Sequence, residues 1–164
     1  MSPTAEDVIA AYATKGLLID SHMVLLYVVG SHDKTLISRF KRTQTYTPDD
    51  FDTLDAVLSL FSRIVVTPHI FAEVNSLLRQ LPEAIRDACF ASSFLEVIQV
   101  VDEVQVASKD AAVHEKFPRL GLTDCAICSL AGQCAILTDD LPLYGNLAQM
   151  GAPVINFTHL RNFT

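Results

Sequence analysis

The stretch that most constrains the fold of this chain is LGLTDCAICSLAGQCAILTDDLPLY, residues 120–144, where a helical pattern precedes a short apolar strand. Asp124 falls in the first turn of the helix, and Asp139 and Asp140 leave the strand at its end. In an open α/β sheet, both positions lie on the edge where ligands usually bind. Taken alone, the same residues also suit a helix-dipole carboxylate and a polar turn, so this stretch leaves two interpretations open.

Other short apolar runs repeat this arrangement along the chain. The runs that predict strands, besides the one at 135–137, are residues 17–19, 64–66, 96–101 and 154–157. Helical patterns separate them, at 21–30, 47–61, 67–81, 82–94, 108–114 and 141–150. Strands that alternate with helices predict an α/β fold with a parallel sheet and helices on both faces.

The length of 164 residues is most simply one domain. We predict a lead of residues 1–15 with one or two helical turns, and a single domain over residues 16–164. A basic stretch from 33 to 46 joins the next helix, which predicts an extended helical segment at about 34–61. A loop is predicted at 116–121. The predicted helix N-caps are Ser21, Thr47, Thr67 and Thr123.

The net charge of −7 argues against a broadly basic protein that coats nucleic acid. It does not exclude a nuclease, because a carboxylate cluster that holds cations contributes to that negative charge. No apolar run approaches the roughly 18 residues that span a bilayer, and the N-terminus lacks the pattern of a signal peptide. We therefore expect a cytoplasmic protein with no membrane partner.

The cysteines do not form a zinc motif. Cys125 and Cys128 lie three residues apart inside a helical pattern, a spacing that is typical of one packed face. No second Cys-x-x-Cys and no His-x-His completes a set of four ligands. We expect the four cysteines to be buried and reduced, with no disulfide.

Four acids from distant parts of the chain are predicted to share one crevice. Asp20 follows the first strand, Glu73 lies in the helix after the second, and Asp124 and Asp140 flank the fourth. Crowded carboxylates are costly unless a cation neutralises them, and oxygen ligands select Mg²⁺ or Mn²⁺. No serine-histidine triad and no phosphate-binding glycine loop is evident, so metal-assisted hydrolysis is the leading chemistry.

In four ordered segments the sequence resembles the PIN-domain ribonuclease family, which includes the toxins of VapBC toxin–antitoxin pairs. The segments are LLIDSHMVLLY (17–27), VVTPHIFAEVNSLL (65–78), LGLTDCAI (120–127) and ILTDDLPLY (136–144). The resemblance spans roughly residues 16–158. It implies a three-layer fold with a five-stranded, mainly parallel sheet, a divalent metal ion, and cleavage of RNA that leaves a 5′-phosphate.

The resemblance also implies roles for individual residues. The catalytic acids carried over from the family are Asp20, Glu73, Asp124 and Asp140. The metal ligands would be Asp20, Asp124 and Asp140, with Asp139 as an auxiliary ligand. The cofactor would be Mg²⁺ or Mn²⁺, and the protein would be a metal-dependent ribonuclease.

Three residues around these acids would support them: Ser21, His22 and Thr138. The family's first motif usually reads Asp-Thr-Asn, whereas here Ser21 keeps the hydroxyl and His22 replaces the amide. This departure motivates an alternative function from another class, a catalytically inactive PIN-like module that binds RNA or protein.

The partners that the resemblance implies are RNA, an antitoxin protein and a second copy of the chain. The candidates for RNA contacts are Arg39, Lys41 and Arg42 in the basic stretch, and Arg119 ahead of the third acid. Such residues either contact phosphates and position RNA without reading bases, or form a solvated helix face. The sequence leaves both interpretations open.

Overall fold

The computed structural model describes residues 2–161 and shows an α/β fold built on one sheet. Its strands are β1 (Leu17–Ile19), β2 (Ile64–Val66), β3 (Asp102–Glu103), β4 (Ala135–Thr138) and β5 (Val154–Asn156). They lie in the order β3-β2-β1-β4-β5, and every adjacent pair is parallel. The predicted five-stranded sheet is therefore confirmed, and it is parallel throughout.

Helices flank the sheet. The helices are α1 (Ala5–Tyr12), α2 (Ser21–His32), α3 (Pro48–Leu58), α4 (Pro68–Leu78), α5 (Glu83–Cys89), α6 (Leu95–Val100), α7 (Ser108–Ala111), α8 (Phe117–Leu120), α9 (Leu122–Ser129), α10 (Leu141–Gln149) and α11 (Phe157–Arg161). A π-helical turn, Phe90–Phe94, joins α5 to α6. Within residues 2–161, no helix is both long and apolar enough to cross a membrane.

The central strand β1 explains why the sheet brings distant residues together. It is buried along its whole length between β2 and β4, which is why it reads as an unbroken apolar run. The chain leaves β1 toward β2 and β3 on one side, then returns to place β4 and β5 on the other. Ile19 pairs with Leu137, so Asp20, the residue after β1, and Thr138, the last residue of β4, lie side by side at one edge of the sheet. Such a reversal of strand order is where α/β sheets form ligand-binding crevices.

The prediction of a helix at 33–46 was wrong. Only a short 3₁₀ turn, Lys34–Leu36, forms there, and further turns follow it. Ile37 and Phe40 are buried in the core, and the buried Thr43 hydroxyl donates to the Ile37 carbonyl at 2.8 Å. Side-chain bonds of this kind compete with the helical backbone pattern. The extended helical segment predicted at 34–61 is therefore α-helical only in α3.

The prediction of a strand at 96–101 was also wrong. The π-helical turn carries α5 into α6, which occupies most of that range, and β3 begins only at Asp102. Val97 is buried, whereas Ile98 and Val100 are exposed, so the alternation reflects one buried helical position. Short apolar runs of this length fit either a helix or a strand.

Two predicted N-caps shift by one or two residues. Asp20 rather than Ser21 caps α2, because the Asp20 side chain accepts the Met23 amide at 3.0 Å. Gly121 rather than Thr123 precedes α9, with a φ of +83° that residues with a Cβ rarely adopt. The predicted caps that the structure confirms are Thr47 and Thr67.

Smaller differences concern the ends of elements. The helix predicted at 108–114 is limited to α7, and the loop predicted at 116–121 contains α8. The last strand ends one residue earlier than predicted, because Phe157 begins α11. The predicted lead of residues 1–15 contains α1, whose Val8 is buried in the main core. Residue 1 of that lead and residues 162–164 of the predicted domain lie outside the described residues.

Candidate active site

A crevice of about 310 Å³ opens at the carboxyl edge of the sheet, and we call it the carboxylate crevice. The acids that line it are Asp20, Glu73, Asp124 and Asp140. Ser21, His22 and residues 120–123 complete its walls. The four acids predicted as catalytic from the sequence therefore line one crevice, and they reach it from four separate segments of the chain.

Asp20 is the most deeply placed of these acids. It is 4% exposed, and its two carboxylate oxygens accept from the Met23 amide and from the Thr138 hydroxyl. Burial raises the pKa of Asp20 to about 6, the nearby charge of Asp139 adds to this, and the two hydrogen bonds oppose it. The Asp20 carboxylate is thus fixed in place and binds a proton unusually well.

Asp124 lies in the first turn of α9 and faces the other acids. Burial, followed by the charges of Asp140, Asp20 and Glu73, raises the pKa of Asp124 to about 7. A helix N-terminus favours a negative charge, so this rise occurs against the local helix dipole. Burial, and after it the repulsion from the neighbouring carboxylates, therefore makes Asp124 bind a proton more readily than an ordinary aspartate.

Thr138 links two of the acids. Its hydroxyl donates to Asp20, and its oxygen accepts the Asp140 amide at 3.0 Å. Asp140 itself caps α10 by accepting the Leu143 amide at 2.8 Å. Glu73 stands at the solvent side, on the exposed surface of α4. Thr138, which was predicted to support the acids, thus forms direct hydrogen bonds with the Asp20 carboxylate and with the Asp140 amide.

Asp139 is placed differently from the other acids. Its carboxylate accepts a hydrogen bond from the buried Tyr46 hydroxyl and lies 3.9 Å from Nδ1 of the half-exposed His22. Burial, and then the charge of Asp139, raise the pKa of Tyr46. Of the two adjacent acids, Asp140 lines the crevice and Asp139 is held beside it.

Tyr46 is a neighbour of the crevice acids that the sequence did not reveal. It lies in the stretch predicted as a basic helix, 93 residues before its partner Asp139. Its ring packs edge-on against Phe157, with 6.3 Å between the ring centroids. No local pattern around Tyr46 signals this contact, because only the folded path of residues 33–47 creates it.

Ser21 carries an unsatisfied hydroxyl at the crevice. The residue is 5% exposed, and its Oγ has no hydrogen-bond partner among residues 2–161. A buried polar atom without a partner costs about 1–3 kcal/mol. Because Ser21 lines the carboxylate crevice, a bound water molecule or ligand would be its natural partner.

The donor set fits a hard divalent cation in its chemistry, because all four acids offer oxygen and repel one another. Among residues 2–161, no three Asp, Glu, His or Cys side chains are arranged to hold a metal ion by themselves. Mg²⁺ in proteins usually keeps several water molecules and binds only one or two carboxylates. A cation held in this crevice would therefore need water molecules as its remaining ligands.

The basic stretch engages other parts of the surface. Lys34 pairs with Asp52, Arg39 lies 3.7 Å from Asp33, and Arg42 donates to Gln80 at 2.7 Å. Lys41 is exposed. The residues of this stretch that were predicted to contact RNA do not line the carboxylate crevice, whereas Arg119 lines a groove beside it.

No protein-family model and no curated protein matches this chain. The functional assignment consequently depends on the geometry and electrostatics of the carboxylate crevice itself.

Proposed function

We propose that this protein is a divalent-metal-dependent endoribonuclease that hydrolyses RNA phosphodiester bonds in the carboxylate crevice. One observation carries the proposal: four carboxylates from four separate segments converge on one crevice at the reversal of strand order. Clusters of titratable groups in such a crevice are typical of functional sites.

The electrostatic cost of the cluster supports a functional role. Burial and mutual repulsion raise the pKa of Asp20 to about 6 and that of Asp124 to about 7. Such shifts mean that the ionised cluster destabilises the folded protein when no cation is bound. A set of carboxylates that served only the fold would be paired with a Lys or Arg instead.

Each residue of the crevice has a distinct part in the proposed chemistry. A bound Mg²⁺ or Mn²⁺ would supply an activated water molecule and stabilise negative charge on the phosphoryl oxygens. Asp20, Asp124 and Asp140 would hold the cation directly or through water, and Glu73 would complete the cluster from the solvent side. The Thr138 hydroxyl keeps one Asp20 oxygen in place. The unpartnered Ser21 hydroxyl is free to donate to a bound water molecule or phosphate oxygen.

The partners and the location are proposed from the resemblance to PIN-domain ribonucleases. RNA is the substrate class, and an antitoxin protein and a second copy of the chain remain predicted partners. A small adjacent reading frame would support the antitoxin, and size-exclusion chromatography would test the homodimer. We place the protein in the cytoplasm, where its four free, buried cysteines would stay reduced.

The central experiment measures cation binding and RNA cleavage together. Calorimetric titration with Mn²⁺, and incubation of pooled RNA with Mn²⁺, Mg²⁺ or EDTA, should show binding, cleavage and 5′-phosphate ends. Asp20→Asn should lose cleavage, whereas Asp49→Asn, which changes an exposed acid outside the crevice, should not. Failure of the wild type to bind either cation would contradict the proposed metal site.

A second candidate function is a binding module without turnover. His22 favours it, because this half-exposed side chain lines the crevice at a position where the family that the sequence resembles usually has an amide. Mn²⁺ binding without cleavage of any RNA or single-stranded DNA would support the module over the enzyme. Cation-dependent cleavage that disappears in Asp20→Asn would exclude it.

A further inference from the structure

A second groove, of about 270 Å³, lies beside the carboxylate crevice, and Leu120 lines both. Its charged lining residues are Lys116 and Arg119 at α8, and the described residues that line it include no acid. The opposite wall is α10, which begins directly after Asp140. We call this the basic groove.

The two cations of the basic groove lie on one side of α8 and are held differently. Lys116 directly precedes α8 and Arg119 lies within it, and both side chains line the groove. Lys116 Nζ donates to Gln149 Oε1 at 3.0 Å, which ties this segment to the end of α10. Arg119 is exposed, and its guanidinium has no ion pair or hydrogen bond within residues 2–161. An anion in the groove would therefore find a positioned ammonium and an available guanidinium.

The separation of charge between the two cavities indicates which ligand fits both. Four acids line the crevice and two cations line the adjoining groove, in a chain whose net charge is −7. A polynucleotide carries a negative charge on every phosphate, so it needs a cation in the crevice and basic side chains beyond it. A polynucleotide with one phosphate in the crevice could place a neighbouring phosphate beyond Leu120, in the basic groove.

We propose that the basic groove binds a backbone phosphate of the substrate on one side of the scissile bond, through Lys116 and Arg119. The identity of this ligand rests on the proposed ribonuclease function. Phosphate contacts position a nucleic acid without reading its bases, so the groove would place the chain across the crevice and would not select a sequence. The substrate class is accordingly a polynucleotide that extends beyond the scissile bond by at least one phosphate.

Gly145 offers a way to change the charge of the groove without removing either cation. It lies within α10 and lines the groove, and an added Cβ would meet no atom within 4 Å. Gly145→Glu would place a carboxylate in this space, and Gly145→Gln is the matched variant of the same size without the charge. Arg79→Glu reverses a charge on an exposed residue outside the groove.

The experiment compares a long substrate with a minimal one. Binding of single-stranded RNA is measured by fluorescence anisotropy in EDTA over a range of salt concentrations. Cleavage of the same RNA is compared with hydrolysis of bis(p-nitrophenyl) phosphate, which has no neighbouring phosphate. Arg119→Glu and Gly145→Glu should weaken RNA binding about tenfold and reduce the salt slope by about 1. Both should lose far more activity on RNA than on the small diester, Gly145→Gln should lose less, and Arg79→Glu should match the wild type.

The possible failures are distinguishable. Suppose that Gly145→Glu and Arg119→Glu were indistinguishable from the wild type in RNA binding, salt slope and RNA cleavage. That result would overturn the proposed role of the groove and would not affect the proposed nuclease activity. If the wild type hydrolysed neither substrate but the groove variants still bound RNA more weakly than the wild type, phosphate binding by the groove would be supported and the proposed catalysis would be contradicted. If the wild type bound no RNA either in EDTA or with Mn²⁺ present, the inference would be overturned as well.

Discussion

Asp20 and Asp50 are both buried carboxylates at the starts of helices, yet their surroundings are opposite. Asp50, in the first turn of α3, shares a capping box with Thr47 and lies 2.9 Å from the guanidinium of Arg161. Asp20 caps α2 and accepts from a hydroxyl and an amide, while like charges gather nearby. The chain supplies a cation where a carboxylate serves only the fold. Among residues 2–161, no Lys or Arg forms an ion pair with Asp20, and this is the strongest physical reason to expect a cation from outside.

Asp20→Asn should reduce activity more strongly than any other single substitution in the crevice. Removal of a charge that stabilises the transition state typically costs a factor of about 10²–10³ in rate, so cation-dependent RNA cleavage should fall at least about 100-fold. The melting temperature in EDTA should stay equal or rise, because the amide removes carboxylate repulsion. Undiminished cleavage would reject the assignment of Asp20.

Asp50→Asn should give the reverse pattern. Loss of the charged partner of Arg161 should lower the free energy of unfolding by about 1–3 kcal/mol. For a chain of this size, each kcal/mol corresponds to about 2–4 °C in melting temperature. The RNA cleavage rate per folded molecule should hardly change. Thermal unfolding would contradict these opposite roles of Asp20 and Asp50 if Asp50→Asn were as stable as the wild type and Asp20→Asn were less stable.

The carboxyl edge of the sheet was predictable from the sequence for local reasons. The strands β1, β2 and β4 are short apolar runs bounded by acids or hydroxyl residues, and each pattern stands in the printed sequence. The convergence of their ends then follows from the parallel arrangement, without knowledge of side-chain positions. For this reason the sequence alone was sufficient to assign Asp20, Glu73, Asp124 and Asp140 to one crevice.

The path of residues 33–47 could not be predicted, because contacts far along the chain determine it. Its polar and basic residues suit a solvated helix, but buried Ile37 and Phe40 and the tie from Tyr46 to Asp139 fix another course. Sequence patterns report local periodicity, and they do not report which distant residue will accept a hydrogen bond. The distinct roles of Asp139 and Asp140 were hidden for the same reason.

The raised pKa values of two crevice acids should make the stability of the protein depend on pH. Asp20 and Asp124 start from an unfolded pKa of 3.8 and reach about 6 and about 7 in the fold, so the folded protein binds more protons across this range. The free energy of unfolding should therefore fall as the pH rises from 3.8 through about 7 in EDTA. In Asp124→Asn the free energy of unfolding should fall less steeply with pH. The variant should therefore become more stable relative to the wild type as the pH rises.

This effect is measured by urea unfolding at several pH values, with and without Mn²⁺. At pH 8, Mn²⁺ should stabilise the wild type more than Asp124→Asn, because the cation binds the folded carboxylates. Parallel stability curves for the two proteins in EDTA would show that crowding at Asp124 does not influence folding.

Asp139 differs from both of these acids, because its hydrogen-bond partner is the neutral Tyr46 hydroxyl. Tyr46→Phe removes the hydroxyl that donates to Asp139 and keeps the ring against Phe157. Stability should fall by about 0.5–1.5 kcal/mol, the usual value of one hydrogen bond. Cleavage should fall by about tenfold, the lower end of the loss for residues that orient a metal site without entering it.

The matched control for Tyr46→Phe is Tyr27→Phe. Tyr27 stacks on Phe51, with 5.6 Å between the ring centroids, and its hydroxyl lies near Ser31 and Asp55 rather than at the crevice. Both variants should lose some stability, but only Tyr46→Phe should change Mn²⁺ affinity in calorimetric titration. Equal Mn²⁺ affinities in the two variants and the wild type would limit Tyr46 to a structural role. A larger loss of cleavage in Tyr46→Phe than in Asp20→Asn would instead make Asp139 the primary ligand.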